Sequence, residues 1–578
     1  MSTWIYEQTN TIPAWGPEGV PASVMGILQR RGIRTAEEAE DFLAPAPKRT
    51  YDPELLPDLP AAADKLLQAA KDGLSICIYG DYDADGVTST ALLYTVLKKL
   101  TDRVDFYVPS RFTDGYGLNK DAIRRIAERG AQLLVTVDCG STNREEVAYA
   151  KELGLDVIVT DHHELEESAM PDCLLVNAHR EDSRYPFPGL SGCGVAFKLA
   201  QAIQRRLTAA GDDRFTRQDI TDLLDLVAIS TVADVVPLLD ENRSLVKYGL
   251  RVINSRKRRG LRILLDMVGL ERKEVDADDI GFILAPHINS CGRMATADGA
   301  VRLLAGLEDD GTLEDKAAFM VECNRNRRFA QDRTRDICME AIAAGDCGDL
   351  FSVIEAPGAH EGVAGIVAGS LKEQFHRPVC IVTPSESGLL KGTGRCIPGL
   401  DLHGMLSTCG ELFERYGGHA GACGFSLPKE NLEALRSRMD DLMRSILAER
   451  PDALDEKLSI EKVLEPSEKT LEFANALKLL EPFGEANPKP LFAIGGAGVY
   501  NVQYMGSEGQ HVRFTAAGSD GVEVSCVLFR RAADFADLLR SGAKLDVAGE
   551  LGINEFNGNR RLQFTVKDIR RSGLYDHD

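Results

Sequence analysis

Apolar residues follow two rhythms along this chain. From about residue 61, compact apolar runs alternate with stretches at helical spacing. Leu74–Tyr79 is such a run, rich in isoleucine; a Gly/Asp turn follows it. Val87, Ala91, Leu92, Val96 and Leu100 then recur at the period of a helix. Further strands are predicted at Val104–Val108, Leu133–Val137, Val157–Thr160 and Cys173–Val176, with helices over Asp121–Arg129 and Glu145–Leu153 between some of them. This alternation predicts a parallel sheet covered by helices on both faces.

The pattern divides the rest of the chain. Residues 1–60, punctuated by Pro45, Pro47, Pro53, Pro57 and Pro60, predict an N-terminal arm with one short helix at Thr35–Phe42. Residues 61–260 hold the main α/β unit. A helical connector is expected over 261–345, ending in a long, polar, Arg-rich helix at 311–345. A second α/β unit is expected over 346–450, with strands at Leu350–Glu355 and Val379–Thr383. Over 455–578, short strand-like runs at Val512–Phe514, Val522–Leu528, Lys544–Gly549 and Leu562–Val566, with turn signals such as Asn557-Gly558, predict a small β-barrel.

Composition narrows the class. With 578 residues the chain is too long for one core. No apolar run reaches the ~18 residues that span a bilayer, and the first ten residues lack the features of a secretory signal. A cytoplasmic location with no membrane partner is expected. The thirteen cysteines form no C-x-x-C pair, which favours buried free thiols over zinc or disulfides. A net charge of −22 argues against a general coat for nucleic acid. Two basic runs, Arg251–Arg259 and Arg325–Arg335, break that average. Solvated helix faces explain either run taken alone.

The acids and histidines change the picture most. Asp81, Asp83 and Asp85 lie in the turn Gly80–Gly86, between a predicted strand and a predicted helix. Asp138 follows the strand ending at Val137, and Asp161-His162-His163 follows the strand ending at Thr160. Ligands of open parallel sheets bind at the carboxyl ends of strands, so three clusters converge on one edge. Close carboxylates repel one another unless a cation sits between them. Oxygen ligands with an added imidazole suit Mn²⁺ or Mg²⁺, and a bridging carboxylate such as Asp138 suits two ions about 3.5–4 Å apart. A calcium loop fails as an alternative, because its required twelfth-position acid falls on Leu92.

These motifs resemble those of the DHH phosphoesterase superfamily. Asp161-His162-His163 is similar to its naming signature, Gly80–Gly86 to its first motif, Val137–Gly140 to its second and Ala233–Leu238, placed on a helix, to its fourth. The resemblance is strongest to RecJ exonucleases and extends through Pro109–Arg111, Gly115–Leu118, Asn289–Met294, His360–Gly369, Lys391–Leu402 and Gly417–Phe425. It implies a parallel-sheet DHH domain, a DHH-associated domain beyond a long helix, and an OB-like barrel. It further implies two divalent cations, the first held by Asp83 and Asp138, the second by Asp85, Asp138, His162 and Asp234. His163 would then serve the scissile phosphate or leaving oxygen. Many relatives carry a histidine where this chain has Tyr79, leaving a backbone carbonyl, a water or Asp81 to complete the first site.

Arg111, Arg293, Thr393 and Arg395 are candidates to hold phosphates, and His360 and His419 to touch substrate. His287 stands where relatives often have arginine. On the barrel, Tyr504, His511, Arg513, Phe529, Arg530 and Phe556 are candidates to stack on a single strand. The activity implied is 5′-to-3′ hydrolysis of single-stranded DNA to mononucleotides in DNA repair and recombination. Single-strand-binding protein and a helicase are the implied partners. Two other readings share the scaffold: a DHH phosphodiesterase for short oligonucleotides or cyclic dinucleotides, and a non-catalytic DNA-binding replication factor.

Overall fold

The computed structural model describes residues 2–6, 16–44, 49–115, 117–308, 311–385, 388–556 and 558–573. Among residues named above, Pro45, Pro47, Tyr116, Asn557 and the Phe556 side chain lie outside this description. After a short first strand, β1 (Thr3–Tyr6), and helices at Ala22–Arg30 and Ala36–Leu43, the chain builds a five-stranded sheet. Its strands are β2 (Ile76–Tyr79), β3 (Val104–Tyr107), β4 (Leu133–Val137), β5 (Asp156–Thr160) and β6 (Leu174–Val176). All pair in parallel, in the order β3-β2-β4-β5-β6. Every residue of β2 and β4 is buried, which is why both read as unbroken apolar runs. The strand order reverses beside β2, so the tips of β2 and β4 flank a crevice.

The helix after β2 spans Ala84–Lys98 and begins earlier than the apolar periodicity predicts. Asp83 is its N-cap, accepting from the amides of Asp85 (2.9 Å) and Gly86 (3.1 Å). Part of the acidic turn is therefore the first turn of the helix.

The connector is a series of helices that ends in a long one, Leu313–Ala344, opened by a Thr312/Asp315 capping box and closed by left-handed Gly345. Its first half packs Ala317, Met320 and Cys323 into the core of the first sheet and its helices. Cys338, further along, joins the core under the second sheet.

That second sheet holds β7 (Ser352–Glu355), β8 (Val379–Pro384), β9 (Leu390–Arg395), β10 (Arg415–His419) and β11 (Ala422–Leu427), in the order β10-β11-β9-β8-β7. Only β7 and β8 pair in parallel. Glycine is required in β9, because a Cβ on Gly392 would fall 2.1 Å from the Phe425 ring.

The last region adds β12 (Lys457–Ile460), β13 (Lys462–Val463), β14 (Phe492–Met505), β15 (His511–Ala517), β16 (Glu523–Leu528), β17 (Leu545–Phe556) and β18 (Asn559–Arg571). Strands β13 to β18 form one sheet that closes on itself through the β14–β17 pair. The N-terminal segment differs from the arm expected. Val24, Ile27 and Leu28 of one helix and Phe42 and Leu43 of the next share a core with Phe492, Phe514 and Phe564 of the barrel. Strand β1 pairs in parallel with β12, and the Trp4 indole donates to Asp568 (2.8 Å). Each apolar stripe spans only two turns and finds its partner far along the chain, so local periodicity does not reveal it. All thirteen cysteines are free. Among the described residues, no helix is long and apolar enough to cross a membrane.

Candidate two-metal active site

Four loops bring acids to the crevice at the tips of β2, β4 and β5. The β2 turn folds tightly over Gly86, where a Cβ would lie 2.4 Å from the Asp81 carbonyl oxygen. Asp138, after β4, takes a left-handed backbone conformation with φ 62°. A non-glycine residue there is strained by roughly 1–3 kcal/mol and persists only where its surroundings hold it. Its amide donates to Thr160 (3.0 Å), and a Cβ on facing Gly192 would come within 2.6 Å of the Asp138 side chain.

Asp85 accepts from the amides of Gly192 (2.7 Å) and Cys193 (2.8 Å), at the start of the helix Gly192–Ala209. The Ser230 hydroxyl donates to the same carboxylate (2.6 Å). Asp234 caps the carboxyl end of the helix Leu224–Ala233 instead of lying within it. Left-handed Val235 (φ 56°) then turns the chain away.

His162 occupies the centre. Its Nε2 lies 3.1 Å from Asp138, 3.4 Å from Asp234 and 3.6 Å from Asp85, yet this buried nitrogen makes no hydrogen bond. Asp81 Oδ1 is likewise buried and unpartnered. Ligand atoms within 4.8 Å of one another form three groupings: Asp81, Asp83 and Asp138; Asp85, His162 and Asp234; and Asp138, His162 and His163. Burial, reinforced by Asp85 and Asp83, pushes the Asp138 carboxyl well above its ordinary range. Burial and neighbouring acids push Asp81 and Asp234 up to about 8. Burial also lowers His162. Five converging carboxylates around an imidazole lone pair fit a pair of hard divalent cations and are costly without them.

Asp161 plays a different part. It accepts from the amides of Ser141 (2.9 Å) and His162 (2.8 Å) and from His163 Nδ1 (2.7 Å). Burial would raise this carboxyl, but His163 and these bonds hold it well below its usual range. In turn, burial would lower His163, but Asp161 outweighs it and holds the imidazole up to about 9. The sequence places Asp161 in the cluster without separating its role from a ligand's. Asn289 is another supporting residue, its carboxamide oxygen accepting from the Ala84 amide (2.8 Å). Tyr79 stays out of the nest. It is buried, stacks on Tyr107 at 5.4 Å and donates to the Gly117 carbonyl (2.9 Å). Asp81 is the side chain that joins Asp83 and Asp138.

A cavity of about 720 Å³ opens between the two α/β regions, lined by Arg111, Arg293, Thr393 and Arg395. Arg415 and Tyr416 also line it; both precede the Gly417-Gly418 pair, and no sequence signal singles them out. Arg111 lies 4.5 Å over the Tyr82 ring, with its buried Nε unpartnered. Arg293 donates to the Gly362 carbonyl (3.0 Å), and burial lowers it to about 10. Arg395 donates to the Gly394 carbonyl (2.8 Å). Among the described residues, no carboxylate pairs with any of these three arginines, which leaves their charge available to an anion.

Three histidines lie elsewhere. His360 caps the helix Glu361–Phe375 through Nδ1 and packs edge-on against Phe112. His419 is exposed, its Nδ1 accepting from the Gly421 amide. His287 bridges the Ile283 carbonyl and Asn324 and is structural. The basic run Arg251–Arg259 is mostly solvent-facing: Arg251, Lys257 and Arg259 are exposed, Arg259 pairing with Glu308 (3.0 Å), while half-buried Arg258 turns inward to pair with Asp225 (2.6 Å).

Comparison with known proteins agrees with this geometry. Residues 75–231 match the DHH family, N-terminal domain; residues 350–445 match the DHHA1 domain; residues 460–568 match the RecJ OB domain. The chain is 37% identical over 547 residues to the single-stranded-DNA-specific exonuclease RecJ of Bacillus subtilis, covering 94% of this chain and 67% of that one. It is 35% identical over 577 residues to the Salmonella typhimurium protein of the same name, covering 96% of both. The crystal structure of RecJ from Thermus thermophilus in complex with Mn²⁺ superposes with a TM-score of 0.78 at 30% identity, covering 96% of this chain and 76% of that one. Its Mg²⁺ complex gives 0.73 at 29% identity, covering 96% and 75%. Matched along nearly its whole length, the chain belongs to the RecJ family of DHH phosphoesterases.

Proposed function

We propose that this chain hydrolyses single-stranded DNA from its 5′ end to mononucleotides, with two divalent cations at the tips of the first sheet. The observation that carries this reading is the unpartnered His162 Nε2 set among Asp85, Asp138 and Asp234. Asp81, Asp83 and Asp138 hold one cation; Asp85, Asp138, His162 and Asp234 hold the other. When bound, Mn²⁺ or Mg²⁺ lowers the pKa of the attacking water and neutralises charge on the phosphate.

The chain supplies the rest. Asp161 holds His163 protonated near neutral pH, so His163 donates to the scissile phosphate or to the leaving oxygen. Arg111, Arg293, Arg395 and Thr393 hold phosphates across the cavity. A cytoplasmic location and a place in DNA repair and recombination fit such a substrate. Single-strand-binding protein and a helicase are partners that it calls for. The intact set of acids and His162 disfavours a non-catalytic scaffold.

The test is a nuclease assay on long single strands phosphorylated at either end, with a dinucleotide in parallel, each with and without Mn²⁺. Mn²⁺-dependent release of mononucleotides from the 5′ end of the long strand is expected. Turnover confined to the dinucleotide would replace this reading with a short-substrate phosphodiesterase.

A further inference from the structure

Four arginines line the cavity, Arg415 on β10 among them, and the supports of the other three differ. Arg293 lies in a helix and Arg395 in β9, whereas Arg111 rides on the loop that leaves β3. An arginine on a loop loses affinity to the entropy of ordering that loop, unless folding has already fixed it.

The described residues of this loop are held from inside the domain at Asp114 and at Gly117. The Asp114 carboxylate accepts from the Ser110 amide (3.0 Å), the Tyr107 hydroxyl (2.9 Å) and Arg125 (2.7 Å), closing the loop onto β3. At the far end, the Tyr79 hydroxyl donates to the Gly117 carbonyl (2.9 Å). Tyr79 ends a fully buried central strand, and its ring stacks on Tyr107, so the two anchors share one rigid aromatic pair.

We infer that Tyr79, together with Asp114, is a positioning residue that presets Arg111 to receive the terminal 5′-phosphate of a single strand. The inference rests on the proposed function, which makes Arg111 a phosphate ligand. It gives Tyr79 a task in binding substrate where the sequence suggested only a missing metal ligand.

The experiment compares kcat and KM on 5′-phosphorylated and 5′-hydroxyl strands for Tyr79→Phe, Arg111→Ala and the double variant. Tyr79→Phe keeps the ring and removes one neutral hydrogen bond. It should raise KM for the 5′-phosphorylated strand about three- to tenfold with kcat retained. The 5′-hydroxyl strand should respond little, and Mn²⁺ binding followed by electron paramagnetic resonance should match the parent. In the Arg111→Ala background, Tyr79→Phe should add nothing. Asp114→Asn reaches the same loop independently and should move KM in the same direction.

Equal losses on both strands, or altered Mn²⁺ binding, overturn the inference. A phosphate preference that disappears in Arg111→Ala but is untouched by Tyr79→Phe overturns the pinning alone. A preference that survives Arg111→Ala overturns the assignment of Arg111 itself, and the inference falls with it.

Discussion

The two sheets meet across one cavity with opposite chemistry and opposite construction. The first is wholly parallel, so successive strands end on the same edge and deliver Asp81, Asp138 and Asp161 to one point. The second is mostly antiparallel, and its hairpin strands present Thr393, Arg395, Arg415 and Tyr416 along the cavity wall. Parallel strand tips suit a point at which ligands converge. A glycine-thinned hairpin surface suits a chain of phosphates passing across it. The net charge of −22 describes neither surface. What matters to a polyanion is the unpaired arginines, Arg395 on the second sheet facing Arg111 and Arg293 on the first side, together with the cations that the acids hold.

If this division of labour is right, damage to each side should have its own signature. The largest effect should come from Asp138→Ala, which removes a ligand from two groupings. Activity should fall on the order of a thousandfold with fewer Mn²⁺ ions bound, while strand affinity stays near that of the parent. Normal metal content in this variant would erase the contrast between the sheets. Next is Asp161→Asn, expected to cost roughly 10- to 100-fold. Because Asp161 is what raises His163 to about 9, its loss should move the alkaline limb of the pH–rate profile to lower pH. An unmoved limb would separate His163 from proton donation.

Smaller effects test the other wall. Arg395→Ala should raise KM about tenfold and flatten the salt dependence of binding by about one unit of slope, with kcat and Mn²⁺ binding retained. A fall in kcat alone would place Arg395 with the metal-side machinery. The smallest effect concerns protons. Asp81 and Asp234 titrate at about 8 in the metal-free fold, against about 4 in an unfolded chain. Between those values the folded state holds protons that the unfolded state releases, so metal-free stability should decline as pH rises through that window. Mn²⁺ must displace those protons, so the Tm increase it produces should be larger at pH 8 than at pH 6, by a few degrees. Equal increases at both pH values would mean the acids are already ionised.

Much of the first wall is legible in the sequence, because apolar runs mark strand ends and the acids follow them directly. The second is less so. Arg395 and Thr393 stand out beside glycines, but Arg415 gains meaning only when β10 folds back against β11. His360 and His419 share the same glycine context and are used as a helix cap and in a local turn. The left-handed backbone of Asp138 is invisible too, since it depends on Gly192 lying opposite. Arg251–Arg259 reads as a charged face and is mostly one, but the inward turn of Arg258 to Asp225 is not visible in it. Periodicity reports what a segment does with its neighbours in sequence. Pairings across long intervals of chain lie beyond it.

The core shared by the N-terminal helices and the barrel carries a consequence for synthesis. Val24, Ile27, Leu28 and Phe42 leave the ribosome long before most of the residues that bury them, which begin at Leu464, although Leu239 and Arg243 pack on this core from nearer in sequence. At roughly 5–20 residues per second, their apolar stripes wait on the order of half a minute for most of their partners. Both α/β regions can leave the exit tunnel in that interval. The nascent chain thus carries an unfinished hydrophobic surface ahead of a folding catalytic centre, where a holdase chaperone would find it.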